Sequence, residues 1–455
     1  MKFGLILFDR VPQKHRSISL KLKTGFGLLA CFALVGCLDT NNPKVEPFQP
    51  NSALTYDESI SFTTNSSALV KSITATPAVS RALSSAIVAK ERVAITRSQK
   101  EMTVSANGSS GIENETNDGS EGVLIVGVTA QKVLNDNGRT DRLIYISELL
   151  AEIAKSESHI AFNKALQEIL DAYISQKTAL EVDSIITHYV GLFNEREDLV
   201  QKAVGAGVLS NSDYLELQSL KNEILSEQAQ SVFQSKTSAS FLRTSLGNSY
   251  DAAMAELVNR YRVTSGSKLS IKNSNQVSLL GLKKTQIQIE IELQKLSNTL
   301  TTNWQATVSS PKSRGAGSTL FAGITMGLPI KDGGKSLATI ASLEKELEVN
   351  ALDVATFQEE VIQAQQALDN FTTYYETQSD LLGERKRITV ERIAELELKL
   401  KTGRADVSAL AKEFLALART EIAIERLNYD WEIRTLSALA VTGQACELVK
   451  LCDAI

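Results

Sequence analysis

Two stretches of the chain alternate apolar and polar residues with a period of two. They lie 196 positions apart, and their apolar residues are Leu124, Val126, Val128 and Ala130 in the first and Leu320, Ala322, Ile324, Met326 and Leu328 in the second. A weaker alternating stretch precedes each one, across a segment rich in Gly, Ser and Asn. The pattern predicts two strand pairs, 101–107 with 123–131 and 303–309 with 318–329, joined by loops over 107–122 and 310–318. Strands of about ten residues can cross a bilayer when tilted, although hairpins on a soluble domain would alternate in the same way.

After each strand pair, the apolar period changes to that of a helix. Apolar residues then recur at steps of three and four, for example at Leu143, Ile146, Leu150 and Ile153. The helical run from Gly138 to Gly207 covers 69 positions, roughly 100 Å at the rise of an α-helix. A helix of that length does not fit inside a compact domain. We therefore expect a mainly α fold with a small β component, in which long helical hairpins belong to an elongated assembly.

The chain contains a duplicated unit. Four glycines recur at an offset of 196 without a gap, so that Gly127, Gly138, Gly207 and Gly247 match Gly323, Gly334, Gly403 and Gly443. Their neighbours also agree, since Asp136-Asn137-Gly138-Arg139 matches Asp332-Gly333-Gly334-Lys335. We predict a first repeat over 61–262, a second over 263–443 and a C-terminal tail over 444–455.

The N-terminal residues have the pattern of a secretory signal that ends at a cysteine. Basic residues at 14, 16, 21 and 23 precede an apolar run from Gly25 to Val35, and Cys37 follows Gly36. The run is about a dozen residues, shorter than the roughly 20 that a transmembrane helix needs. We predict a cleaved signal peptide over 1–36, an acylated Cys37 anchored in outer-membrane lipid, and an extended linker over 37–60. An ordinary signal peptide that contains a cysteine is the alternative.

Charge and chemistry exclude several classes of function. Removal of residues 1–36 takes away six basic residues and one acidic residue, leaving 42 basic and 52 acidic side chains and a net charge of −10. A nucleic-acid partner is therefore not expected. His159 and His188 remain, both within predicted helices and without a second metal ligand at suitable spacing. Since no phosphate-binding loop or nucleophile motif occurs either, we expect neither an enzyme nor a bound cofactor or metal.

Two cysteines, Cys446 and Cys452, remain near the C-terminus after processing. An oxidising periplasm would let them pair. A helical segment would instead point their side chains to different faces, so both states stay open.

Several motifs, taken in order, resemble the outer membrane efflux protein family, the TolC-like outer membrane factors, lipoprotein subtype. Gly138 with Arg139 and Gly334 with Lys335 resemble the family's junctions, where a barrel strand turns into a long helix. The segments 204–213 and 401–406 resemble its two periplasmic tip turns. The resemblance covers about residues 60 to 443.

The resemblance implies a homotrimer in which four strands per chain close a twelve-stranded barrel and the helices form a periplasmic tunnel. It implies a passive conduit of a tripartite efflux or type I secretion system, supplied by an inner-membrane pump or ABC exporter. A periplasmic adaptor, or membrane fusion protein, would dock at the tip residues Gly207, Ser210, Asp213, Gly403 and Asp406. Two alternatives stay open: a lipid-anchored periplasmic adaptor or scaffold built from helical hairpins, and a trimer that does not conduct.

The tips depart from the family at one position. The family commonly carries an acid six residues after each tip glycine, and Asp213 fits in the first repeat, whereas Ala409 stands at the matching position in the second. Asp406 and Glu413 lie nearby. Whether the tips form a carboxylate gate is therefore an open question. Asp213 and Asp406 fit helix N-capping equally well.

Overall fold

The computed structural model describes residues 67–115, 119–263, 268–312, 318–401 and 407–452, all within the unit that spans Pro47–Ile455. The first half contains helices α1 (Ala68–Thr74) and α2 (Pro77–Arg97), strands β1 (Thr103–Glu115) and β2 (Gly119–Asn135), and helices α3 (Arg139–Gly205), α4 (Asn211–Leu246) and α5 (Tyr250–Arg260). The second half contains α6 (Asn275–Lys295), β3 (Thr301–Lys312), β4 (Thr319–Gly327), α7 (Lys335–Lys401) and α8 (Val407–Thr442). The predicted signal peptide, Cys37, the linker, Gly403 and Asp406 lie outside the described residues.

The helices repeat in length as a duplicated unit requires. α3 and α7 have 67 residues each, α4 and α8 have 36, and α2 and α6 have 21. α2 begins at Pro77, where a missing N–H has no cost because the first helical N–H groups lack partners in any helix. The predicted fold class, mainly α with long hairpins and a small sheet, is confirmed. Over the described ranges, no helix is both long and apolar enough to span a membrane.

The strands differ from the prediction at their ends. β1 and β2 pair continuously from Thr103↔Gln131 to Glu115↔Gly119, so the predicted loop over 107–122 is wrong for most of its length. Apart from Ile112, the residues over 108–122 are polar or glycine, and the backbone hydrogen-bond ladder extends the hairpin without an apolar side-chain pattern. β3 continues to Lys312, beyond its predicted end, whereas β4 ends at Gly327.

The four strands form one antiparallel sheet in the order β1-β2-β3-β4. Its central contact joins the two halves of the chain, since β2 pairs with β3 from Leu124↔Lys312 to Asn135↔Thr302. Each repeat therefore contributes one hairpin. One side of β1 and one side of β4 have no strand partner among the described residues.

Helix α3 is the centre of the helical packing. It contacts α2, α4, α6 and α8, whereas α7 packs against α6 and α8. One apolar core surrounds Phe162 and Leu166 of α3 and includes residues of α1, α5 and α8. A second core, nearer the turn between α3 and α4, surrounds Phe193 and Phe414. Both cores combine residues from the two repeats, so burial of apolar surface holds the helical hairpins together.

Candidate functional site

The sheet has one apolar and one polar face. Because side chains alternate along a strand, the register places the even-numbered residues of all four strands on one face and the odd-numbered residues on the other, up to the irregularity that follows Val133 in β2. Exposed apolar side chains dominate the even face: Val104, Leu124, Val126, Val128, Val308, Leu320, Ile324 and Met326. Small polar side chains dominate the odd face: Thr103, Ser105, Asn107, Thr129, Gln131, Asn303, Gln305, Thr307, Ser309, Thr319 and Thr325. An open apolar face opposite a polar one is the pattern of a sheet that separates lipid from water.

Hydrogen bonds between side chains lie along the odd face, both within β3 and between neighbouring strands. The hydroxyls of Thr129 and Thr307 lie 3.3 Å apart, and Gln305 Nε2 donates to Thr307 Oγ1 over 3.1 Å. Ser309 Oγ and Thr319 Oγ1 lie 2.5 Å apart. These groups satisfy one another while staying accessible, as expected for a wall in contact with water.

Each hairpin passes into a long helix through the same left-handed turn. Asn137 and Gly138 have φ values of 56° and 75°, and Gly333 and Gly334 have 67° and 84°. α3 then begins at Arg139 and α7 at Lys335. A positive φ in two successive residues favours Gly and Asn, which explains why these residue types stand here.

The aspartate before each turn, absent from the predicted site residues, caps the helix. Asp136 accepts hydrogen bonds from the backbone N–H of Gly138 (3.1 Å) and of Thr140 (2.7 Å). Asp332 accepts in the same way from Gly334 (3.0 Å) and Ser336 (2.9 Å). The recurrence of Asp at the offset of 196 was the sequence feature that could have identified this role.

The Asp332 cap is sensitive to acid. Hydrogen bonds from Ser336, together with the backbone N–H of Gly334, lower the pKa of Asp332 from 3.8 to about 2. Because the folded-state pKa is depressed, the stabilisation is complete above the ordinary pKa. It is lost as the pH falls from about 4 towards 2.

The turn between α3 and α4 is closed on both sides. Gly207 has φ 73°, Gly207 N–H donates to Val204 O (3.0 Å), and Val208 N–H donates to Ala203 O (2.9 Å), the bonding pattern of a Schellman C-cap. Ser210 is the N-cap of α4, and it forms a capping box with Asp213. The structure therefore places Gly207, Ser210 and Asp213 together in one rigid turn, and Asp213 has a capping role.

Salt bridges link the first helical hairpin to the second. On α8, Lys412, Arg419 and Arg426 contact Glu216, Glu223 and Glu227 of α4, with Lys412 Nζ 2.7 Å from Glu216 Oε1. The basic residues recur every seven positions, which keeps them on one side of α8. Exposed pairs of this kind contribute only about 0 to 1 kcal/mol each, so the shared apolar core carries most of the stabilisation.

The C-terminal residues form a disulfide. The backbone leaves α8 through Gly443, makes a 3-10 turn over Ala445–Val449 and reverses at Lys450, where φ is 52°. This brings the Cα atoms of Cys446 and Cys452 to 5.0 Å, and their sulfurs are bonded. Because the segment is not a regular helix, the two side chains do not point to different faces.

The histidines lie inside α3, as the sequence predicts. Burial, with a contribution from Lys155, lowers the pKa of His159. His188 makes an edge contact with the ring of Tyr189 at 5.2 Å between centroids. Within the described ranges, no three His, Cys, Asp or Glu side chains come together in a way that could hold a metal ion.

No protein-family model and no curated protein matches the sequence. Solved structures do match the fold. The outer membrane protein VceC from Vibrio cholerae aligns with a TM-score of 0.70 at 10% identity, over 82% of this chain and 95% of its own. The CmeC outer membrane channel of Campylobacter jejuni aligns with a TM-score of 0.68 at 9% identity, over 83% and 85%. The open state of the Neisseria gonorrhoeae MtrE outer membrane channel gives 0.66 at 14%, over 83% and 88%.

The chain has the fold of the TolC-like outer membrane channels. The matches span most of both chains, so they include most of the long helical hairpins. This confirms the predicted resemblance to the TolC-like outer membrane factors, and the lipoprotein subtype stays a prediction.

Proposed function

We propose that the chain is the outer-membrane channel of a tripartite efflux or type I secretion system, acting as a passive conduit. The observation that carries this proposal is the sheet, which has one open apolar face, one hydrogen-bonded polar face and two edges that find no strand partner in the described part of the chain. In lipid, every backbone N–H and C=O group needs an internal partner, and only helices and closed barrels provide one. Four strands do not close a barrel, so copies of the chain have to complete it.

Three copies give the twelve-stranded barrel that the resemblance implies. In this homotrimer, β4 of one copy pairs with β1 of the next, the even face lies against outer-membrane lipid and the odd face lines the lumen. The helical hairpins extend from the junctions into the periplasm. Cargo enters from an inner-membrane pump or ABC exporter, which supplies the energy.

The alternative of an adaptor or scaffold without a pore is weaker. A water-soluble hairpin protein has no reason to expose a row of valines, leucines and isoleucines over four adjacent strands. β1 and β2, with 13 and 17 residues, exceed the length that crosses a bilayer, and β4 with 9 residues matches it.

Reconstitution of the purified protein in planar bilayers, with its mass measured in mild detergent, tests the proposal. A trimer that forms discrete ion-conducting pores is expected. Conductance would exclude the alternative of a scaffold without a pore. A trimer without conductance would support the proposed assembly but not the channel function. A monomer without conductance would overturn the proposal as a whole.

The α3–α4 turn is proposed as an adaptor-docking tip, together with Gly403 and Asp406 of the second repeat. A Gly207→Trp variant is expected to abolish export and keep the trimer. A Cβ atom added to Gly207 meets no other atom within 4 Å, and the left-handed backbone costs roughly 1–2 kcal/mol for a non-glycine residue. Export of a dye from whole cells and native mass would be measured together.

The control for this variant is Gly207→Asn, since asparagine tolerates a left-handed backbone and adds little bulk. It is expected to export normally. Normal export by Gly207→Trp as well would contradict the proposal that the adaptor docks at the α3–α4 turn.

Cys37 is proposed as the lipid anchor. A Cys37→Ser variant is expected to lose all incorporation of labelled palmitate, because the serine hydroxyl does not replace the thioether that holds the lipid. The labelled band would be quantified in the membrane fraction. Equal labelling of variant and wild type would contradict acylation at this residue.

A further inference from the structure

One large aromatic side chain interrupts the polar face of the sheet. Phe321 is an odd-numbered residue of β4, paired with Thr307 of β3, and its side chain is 50% exposed. Thr319 lies two residues before it on the same face and Gly323 two residues after it. In a barrel that turns this face inwards, the ring lies on the wall of the lumen.

The ring lies across Gly323. A Cβ atom added to Gly323 would meet the ring carbon Cζ of Phe321 at 3.0 Å, a distance at which one of the two has to move. Glycine therefore allows the aromatic ring to lie against the strand. Together, Phe321 and Gly323 form a small apolar shelf among hydroxyl and amide groups.

The part of the odd face around Phe321 carries no charged residue. At the odd positions within 103–110, 124–133, 301–310 and 319–327, the side chains are hydroxyls, amides, glycines and the three apolar residues Ile125, Val133 and Phe321. Such a wall neither attracts nor repels an ion strongly. Discrimination among solutes here has to come from apolar or aromatic contact.

We propose that Phe321 is a cargo-contact residue of the pore, which favours solutes with an aromatic surface, including aromatic organic cations. This inference rests on the proposed channel function and adds a substrate class to it. A solute that passes the shelf stacks on the exposed ring face, and a cation gains the additional attraction of the ring quadrupole. In a trimer, three such rings lie at the same height.

Single-channel recording tests the proposal with two probes of equal charge, ethidium as the aromatic cation and tetrapropylammonium as the aliphatic one. In the wild type, half-block is expected at a lower concentration of ethidium than of tetrapropylammonium. Phe321→Ala is expected to raise the ethidium concentration for half-block by roughly two- to fivefold, the change that loss of one exposed cation–π contact predicts. Its response to tetrapropylammonium should stay unchanged.

The matched control is Leu320→Ala, which shortens the preceding side chain on the opposite, apolar face. It is expected to leave block by both probes as in the wild type. Should Phe321→Ala fail to assemble, Phe321→Leu keeps the apolar bulk and is expected to conduct with a weakened ethidium block.

The outcomes separate the two proposals. Absence of conductance in the wild type overturns the channel function itself. Normal conductance with the same ethidium block in the wild type, Phe321→Ala and Phe321→Leu leaves the channel intact and overturns the role of Phe321. In that case the ring only shields the backbone at Gly323.

Discussion

An Ile324→Arg variant is expected to fail in membrane insertion and trimer assembly, whereas Thr325→Arg, one position further, is expected to keep both. Ile324 is 54% exposed on the apolar face, one residue from the middle of β4. An arginine that faces lipid near the bilayer centre costs about 2–4 kcal/mol per strand, and each trimer would contain three. Thr325 faces the polar side, where a guanidinium stays in water.

The measurements are membrane fractionation, native mass and the reversal potential of the reconstituted pore. Thr325→Arg is expected to shift the reversal potential towards anion selectivity, since it adds three positive charges to a part of the wall that has no charged residue. Equal tolerance of arginine at both positions would show that the sheet does not separate lipid from water.

A Phe193→Ala variant is expected to have the largest effect on the helical part. Phe193 of α3 is fully buried in the second apolar core, where α4 and α8 meet α3. Removal of a buried phenylalanine costs about 3–5 kcal/mol through lost burial and the cavity that remains. The midpoint of thermal unfolding in detergent is expected to fall, and the two hairpins to separate first at the tip.

The control is Phe233→Ala, the same change on an exposed face of α4, where the side chain is 69% accessible within one copy. It is expected to leave the unfolding of a single chain nearly unchanged. Any destabilisation by Phe233→Ala should appear as a lower stability of the trimer. A fall of equal size in both variants at the level of the single chain would contradict the described core.

The repeat and the type of each long element could be predicted from sequence because each leaves a regular pattern. Alternation over Leu320–Leu328 indicates a strand with two different faces, and proline-free runs with steps of three and four indicate helices. The outer ends of β1 and β2 could not be found in this way. Their residues are polar or glycine except for Ile112 and show no apolar alternation, so only the backbone ladder reveals the pairing.

Contacts between distant residues were also beyond the sequence. Nothing local shows that β2 pairs with β3, because that contact joins residues more than 160 positions apart. The disulfide joins residues only six positions apart, but it could not be predicted either, because its formation depends on the reversal of the backbone at Lys450. The polar face, by contrast, follows from the odd residue numbers alone once the register is known. Phe321 lies on this face, although no sequence motif indicated a functional role for it.

The pairing of β2 with β3 determines when the sheet can form. The hairpin of β1 and β2 is complete at Asn135, but its partner begins only at Thr301. At roughly 5–20 residues per second, synthesis of this interval takes on the order of ten to thirty seconds. During that time the newborn hairpin exposes both an open strand edge and a row of branched aliphatic side chains, the two features that drive aggregation. The four-stranded sheet can therefore form only once both halves of the chain are present.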